Sequence, residues 1–264
     1  IGAGPGGYVA AIRGAQLGKN VAVIEKNNAG GTCLNVGCIP SKTLLEHGEK
    51  AHNIRVTNDW GITTKDLGID FTQFVQLKKK VVQTFTGGVK QLLKKNKVTY
   101  IEGEARISKN LKVNVNNETY QAKYIILATG SQPFIPRIDG LDQVNYETTD
   151  TFFDLGKLPK QLAVIGGGVI ATELASSMAD LGVRVTIIEV ADDILLTEIN
   201  ETREMLKAHL DNQGIKILTK AKIKQVKESK IILDGQDDIS FDTLLVATGR
   251  QPNTQVAKDL NLEM

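Results

Sequence analysis

The sequence predicts an α/β fold made of two parallel-sheet units with a small antiparallel β layer. Three observations carry that expectation. A glycine-rich turn occurs twice, as Gly2-Ala3-Gly4-Pro5-Gly6-Gly7 and as Gly166-Gly167-Gly168-Val169-Ile170-Ala171. Each turn is followed by a small-residue helical stretch and then by a strand ending on an acid, Glu25 or Glu189. An apolar run ending in Thr-Gly also occurs twice, as Tyr124 to Ala128 with Thr129-Gly130 and as Thr243 to Ala247 with Thr248-Gly249-Arg250. Duplication at this scale points to two copies of one supersecondary unit.

In the first copy the helix spans Tyr8 to Leu17 and the strand Asn20 to Ile24. A helix follows Cys38, a loop covers Asn58 to Gly68, and helical spacing predicts a long helix from Phe71 to Lys95. The alternating segments Val98 to Ile107 and Leu111 to Gln121 suit the antiparallel layer. Pro133, Pro136 and Gly140 mark a linker, with the boundary near Leu141 to Glu147, which gives domains at 1–143 and 144–264. The second copy has a strand at Gln161 to Ile165, a helix running to Leu181, and a strand at Arg184 to Ile188. Ile1 opens directly on a turn that a strand should precede, so the chain reads as truncated there.

With 264 residues, 41% hydrophobic and 23% charged, the chain is long enough for two cores. A net charge of +2 gives no reason to expect nucleic acid, and the basic runs Lys78-Lys79-Lys80 and Lys94-Lys95-Asn96-Lys97 read as solvated helix faces. No apolar run reaches the roughly 20 residues of a membrane span, and no secretion signal is recognisable. The expected location is the cytoplasm or an equivalent reducing compartment.

A G-x-G-x-x-G turn between strand and helix is the fingerprint of a Rossmann-like dinucleotide-binding fold. Its first Gly permits the sharp turn, its second lets a pyrophosphate approach the backbone, and its third, or a small substitute, lets helix and strand pack closely. Gly2, Gly4 and Gly7 fit these positions in one copy, and Gly166, Gly168 and Ala171 in the other. The pyrophosphate would sit on the helix N-terminus, and the strand-end acid would accept from a ribose. At Glu189 a carboxylate would repel the 2′-phosphate of NADP, and Asp192 and Asp193 follow it, so NAD is expected at the second site.

Both cysteines fall in Gly30-Gly31-Thr32-Cys33-Leu34-Asn35-Val36-Gly37-Cys38-Ile39-Pro40-Ser41-Lys42. On a regular helix, residues five apart are separated by about 8 Å, too far for a disulfide, so bridging them needs irregular backbone, which Gly37 eases. A structural staple over so short a loop contributes only about 2 kcal/mol, little for a chain of this size. A zinc site has no recognised spacing with His47 and His52. A redox pair is the leading reading, and a helix beginning near Cys38 favours a thiolate there.

The string from Gly30 to Lys42, together with the two turns, resembles the pyridine nucleotide-disulfide oxidoreductases, a family that binds FAD and NAD(P), and within it the branch that oxidises dihydrolipoamide. That resemblance implies FAD held by Gly2, Gly4, Gly6, Gly7, Glu25, Gly31 and Thr32, with the Ala105 backbone near adenine and further contacts at Thr129 and Gly130. It implies NAD held by Gly166, Gly168, Val169, Ile170, Ala171, Glu189 and Val226, with Gly249 and Arg250 also in the cofactor set. Lys42 would stand by the flavin and pair with Glu173, an acid in an otherwise small and apolar helix start that would be costly without a partner. Cys33 would exchange with the substrate dithiol, and Cys38 would be the flavin-side thiolate. The implied partners are the lipoyl domain of a 2-oxoacid dehydrogenase E2 component and a second subunit, in a bacterial cytoplasm or mitochondrial matrix, with no nucleic acid, membrane or metal.

Ser41 and Glu189 set the sequence apart from glutathione reductases. Mercuric reductases share the cysteine segment, and a redox-sensing module without turnover stays open as a further alternative. Val169 stands where many members carry a gating Tyr. The family's acid-base His lies in a later domain, and His47, His52 and His209 do not match its context, so a protein limited to these residues is expected to show little dihydrolipoamide turnover.

Overall fold

A computed structural model describes residues 1–65, 67–108 and 110–263; Asp66 of the expected loop lies outside them. Neither of the two compact units is continuous in sequence. One comprises Ile1–Pro40, Lys79–Gln132 and the residues from Gln251 on, and the other comprises Ser41–Lys78 and Pro133–Arg250. Residues 41–78 and 133–143 thus pack with the second glycine turn.

In the first unit, α1 (Pro5–Gln16) starts at Gly4, which is extended and provides no side-chain cap. Pro5 at the first helical position is pre-set for helix and has no N–H to satisfy. β1 (Ala22–Glu25) follows, then α2 (Gly31–Asn35), and α3 (Cys38–Arg55) begins at the second cysteine. The amphipathic α4 (Phe71–Lys95) matches its expected bounds and leads into β2 (Thr99–Glu102). β2 pairs parallel with β1, Val23 opposite Tyr100, rather than joining the antiparallel layer. A helix between two strands returns the chain in the same direction, which alternation in the sequence does not reveal. Only β3 (Arg106–Ile107) of that stretch enters the layer, with β4 (Lys112–Val115) and β5 (Glu118–Gln121). The run Tyr124 to Ala128 forms no regular strand; Ile126 O accepts from the Ile1 amino group and Ala128 N–H donates to Ile1 O, at 2.8 Å each. The chain then passes through β6 (Ser131–Pro133).

The second unit is built on a five-stranded parallel sheet. In chain order it contains β7 (Glu147–Thr148), β8 (Gln161–Ile165), α5 (Val169–Asp180), β9 (Arg184–Ile188), α6 (Asn200–Asn212) and β10 (Lys216–Leu218). An antiparallel layer of β11 (Ile223–Lys227), β12 (Lys230–Leu233) and β13 (Ile239–Ser240) precedes β14 (Thr243–Val246); β15 (Arg250–Pro252) starts at the last residue of this unit, and α7 (Gln255–Asp259) belongs to the first. The sheet order is β10-β9-β8-β14-β7. Central β8 is covered on both faces: Leu162 and Val164 join one apolar cluster and Ala163 and Ile165 the other, as a parallel strand requires.

From Ser41 onward α3 packs along α5. Lys42 meets Glu173, a Cβ on Gly48 would lie 3.0 Å from Ser177 O, and His52 Nδ1 lies 3.4 Å from Asp180 Oδ1. The two helices therefore run in the same direction, and the missing side chain at Gly48 eases so close a crossing.

The reading of Lys78 as a solvated residue is corrected. It is 4% exposed, and its Nζ lies 2.6 Å from Asp154 Oδ1. Helical spacing puts it on the same face as buried Phe71 and Phe74, and the carboxylate supplies the partner that a buried cation needs.

Two glycines should respond in opposite ways to alanine. A Cβ on Gly7 would lie 1.8 Å from Gly2 O, so Gly7→Ala should destabilise by about 3 kcal/mol or more. Gly87 lies inside α4 with nothing near its missing Cβ, so Gly87→Ala should stabilise by about 0.5–1 kcal/mol. Denaturant unfolding of the two variants measures both.

Candidate active site: two glycine turns and a dithiol

The first turn is shaped by close approaches. Gly2 has φ +95°, and a Cβ there would sit 2.2 Å from Ala128 O. A Cβ on Gly31 would lie 2.6 Å from Gly4 Cα, so the segment entering α2 runs directly against the turn, and Gly30 N–H donates to Ala3 O at 2.8 Å. The α1 N-terminus has no side-chain cap; Pro5 lacks an N–H and Gly7 N–H bonds to Gly4 O at 2.9 Å, so Gly6 N–H is the first-turn donor that would serve an anion. These features suit a pyrophosphate, and the surrounding glycines leave the room that it needs.

Glu25 is buried, and its carboxylate accepts from Ala3 N–H at 2.7 Å and from Asn27 N–H at 2.8 Å. The second copy repeats the pattern: Glu189 accepts from Gly167 N–H at 2.6 Å and from Ala191 N–H at 2.8 Å. Gly166 has φ +112°, and its Cβ would lie 2.5 Å from Ala247 O. Ala171 is fully buried where the first copy has Gly7, and Val169 and Ile170 are exposed on the first turn of α5. Asp193, close to Glu189 in sequence, is partly desolvated, but the Ile194 N–H and Lys207 outweigh that and lower its carboxyl.

The Thr-Gly pairs repeat as well. Thr129 Oγ1 donates to Asn253 O at 2.8 Å, and Asn253 N–H donates to Gly130 O at 2.9 Å. In the other unit, Thr248 Oγ1 donates to Phe134 O at 2.8 Å, and Phe134 N–H donates to Gly249 O at 2.9 Å. Arg250 is engaged by Asp150 Oδ1 at 2.5 Å and Thr149 Oγ1 at 3.0 Å, two partners that the sequence reading did not name. Val226 is buried and gives its N–H to Asp139 O. Ala105 lies between β2 and β3, half-buried.

Cys33 sits in α2, and Cys38 is the first residue of α3. The helix breaks at Val36 and Gly37, the irregular backbone that bridging was expected to need. The two sulfurs are thiols with no disulfide between them. Burial, reinforced by a hydrogen bond to Cys38 and by its charge, pushes the Cys33 thiol up to about 11. Asn35 was missed by the sequence reading: its Nδ2 donates to Ala29 O at 3.1 Å and Gly31 O at 2.9 Å, pinning the loop before Cys33. An amide between two cysteines in an apolar motif was the available signal.

Lys42 Nζ lies 2.6 Å from Glu173 Oε1, so the pair implied by the resemblance forms. The expected energetic need for it is weaker than supposed, because the side chains are 60% and 30% exposed. His47 is tucked against Phe74 at 5.0 Å between ring centroids, with its Nε2 unpartnered among the described residues; burial and Lys50 lower its pKa. The described residues contain no cluster of metal-ligating side chains. None of their helices is long and apolar enough to cross a membrane.

Two glycine turns of dinucleotide-binding form and a dithiol are the features of flavin- and pyridine-nucleotide-dependent disulfide oxidoreductases. The chain belongs to the pyridine nucleotide-disulphide oxidoreductase family, whose model matches residues 1–264. It is 40% identical to the dihydrolipoyl dehydrogenase of Acholeplasma laidlawii, covering all of this chain and 81% of that protein. It is 41% identical to the dihydrolipoyl dehydrogenase of Bacillus subtilis and 39% to that of Geobacillus stearothermophilus, and spans 58% and 57% of their lengths. Among solved structures, the HOCl-induced flavoprotein disulfide reductase RclA from Escherichia coli superposes with a TM-score of 0.83 at 30% identity, over 97% of this chain and 57% of that one.

Because folding raises the Cys33 thiol from 9.0 to about 11, its contribution to stability is complete below pH 9 and is lost as pH rises through about 11. Cys38→Ser removes the charge of Cys38, so the alkylation profile of Cys33 should move to lower pH; an unchanged profile would leave burial alone as the cause. Lys42→Met should change folding stability by roughly 1 kcal/mol or less, read by thermal unfolding, because the pair is solvent-screened.

Proposed function

We propose that the protein acts as a dihydrolipoyl dehydrogenase, transferring two electrons from dihydrolipoamide to NAD+ through the Cys33–Cys38 pair and FAD. The observation that carries this reading is the dithiol lying across a broken helix beside the first glycine turn. The names of the relatives support the substrate. FAD would lie on Gly2, Gly4, Gly6, Gly7, Glu25, Gly31, Thr32, Ala105, Thr129 and Gly130, within the domain assigned to 1–143. NAD would lie on Gly166, Gly168, Val169, Ile170, Ala171, Glu189 and Val226, with Gly249 and Arg250 also contributing, within 144–264.

The bound flavin would supply the two-electron relay between dithiol and nicotinamide. The chain's own residues handle sulfur and charge. In the oxidised enzyme, one thiolate of dihydrolipoamide attacks Cys33 and the Cys33–Cys38 bond breaks, with the electron pair leaving on Cys38. The second substrate thiol then attacks the mixed disulfide and closes lipoamide, releasing Cys33 as the second thiol of the reduced pair. A proton held on Cys33 keeps the reduced pair from carrying two negative charges at once. Lys42, fixed by Glu173, would place a positive charge beside the flavin. The lipoyl domain of an E2 component is the proposed electron donor, and a homodimer in the cytoplasm or mitochondrial matrix the proposed working form.

The test adds dihydrolipoamide and NAD+ to the FAD-loaded, natural full-length protein and follows NADH. Cys33→Ser and Cys38→Ser should each reduce the rate by about 10³-fold or more. The reverse reaction should favour NADH over NADPH by at least about 100-fold, because the 2′-phosphate meets Glu189. Turnover of mercuric ion or glutathione disulfide in place of lipoamide would overturn the substrate, and nucleotide binding without any turnover would favour a sensing module.

A further inference from the structure

Each strand-end acid is bonded to its own glycine turn, and the bonding is the same in both copies. One carboxylate oxygen of Glu25 accepts from Ala3 N–H, the middle residue of Gly2-Ala3-Gly4, and the other from Asn27, two residues beyond the acid. Glu189 does the same with Gly167, the middle residue of Gly166-Gly167-Gly168, and with Ala191. The middle residues are buried, Ala3 completely. A buried N–H must have an acceptor, and the carboxylate is the one present. The middle residue also lies between the Gly whose positive φ makes the turn, at +95° or +112°, and the Gly that starts the helix. Holding its N–H therefore fixes the orientation of the peptide units on either side.

We propose that Glu25 and Glu189 are positioning residues that brace the glycine turns, holding the helix N-terminal N–H groups where a pyrophosphate is received, whether or not a ribose is present. This deepens the reading of residues 166–171 as an NAD site and rests on it. A ribose contact uses lone pairs that the two backbone bonds leave over, so one carboxylate can do both. The two roles leave different signatures. If the acid only binds ribose, its loss weakens ligands that carry the adenosine ribose and spares inorganic pyrophosphate. If it braces the turn, both weaken together, and the turn loosens before any ligand binds.

The experiment uses the FAD-loaded protein with wild-type Glu189, Glu189→Gln and Glu189→Ala. Gln can accept from Gly167 N–H through its oxygen but presents an NH2 to Ala191 N–H, while it can still hydrogen-bond a ribose. Three readouts are taken. The first is amide hydrogen exchange of the peptide covering residues 166–172 without nucleotide, the second is the affinity for NADH and inorganic pyrophosphate, and the third is the split between KM for NAD+ and kcat. Bracing predicts turn exchange faster by about tenfold or more in Glu189→Ala and by less in Glu189→Gln. It also predicts that pyrophosphate weakens along with NADH, and that KM for NAD+ is affected more than kcat. Unchanged turn exchange, or NADH weakened with pyrophosphate spared, overturns the proposal. If wild-type protein binds neither ligand, the NAD reading fails by itself, and the exchange result still decides whether Glu189 braces the turn.

Discussion

The arrangement depends on one steric constraint: the chain must turn from strand into helix directly over the end of a neighbouring segment, with no space for a side chain. Gly2 meets that limit against Ala128 O and Gly166 against Ala247 O. Once those approaches are set, Gly4 and Gly168 begin their helices without a side-chain cap, and the strand ends fall beside the turns. The carbonyl being approached belongs to the residue before a Thr-Gly pair, so the same contact locates Thr129 and Thr248. Hydrogen bonds to Asn253 and Phe134 then fix those threonines, each partner lying five residues after the Thr of the other pair.

The chemistry depends on a different kind of limit. A dithiol that lost both protons would concentrate two charges on neighbouring sulfurs, and burial of Cys33 makes the second loss harder still. The helix break at Val36 and Gly37 lets the sulfurs come together, while Asn35 keeps the loop from relaxing. Lys42 is mostly exposed and Glu173 half-buried, so their pairing adds little to folding.

Much of this was legible in the sequence because it is local. The 3.6-residue spacing of α4 gives its bounds, and glycine at Gly2, Gly4 and Gly7 reports backbone requirements residue by residue. What escaped depends on partners distant in sequence. Alternation in Val98 to Ile107 indicates a strand without naming its neighbour, and β2 lies parallel to β1. Lys78 looks solvated until Asp154 is seen, and the partners of Arg250, Asp150 and Thr149, lie far from it in sequence. The packing of residues 41–78 with the second turn likewise rests on contacts, such as Gly48 against Ser177, that no local pattern encodes.

The two copies differ at the third small position, Gly7 in one and Ala171 in the other. The first has no room for a methyl group, while the second buries one completely. Recombination between the halves of such a gene would therefore be directional. The tighter motif can be copied into the looser site at the expense of a small void, but the looser motif cannot replace the tighter. Divergence after duplication is easily entered and hard to reverse, and a single methyl group suffices to keep the two sites from becoming alike again.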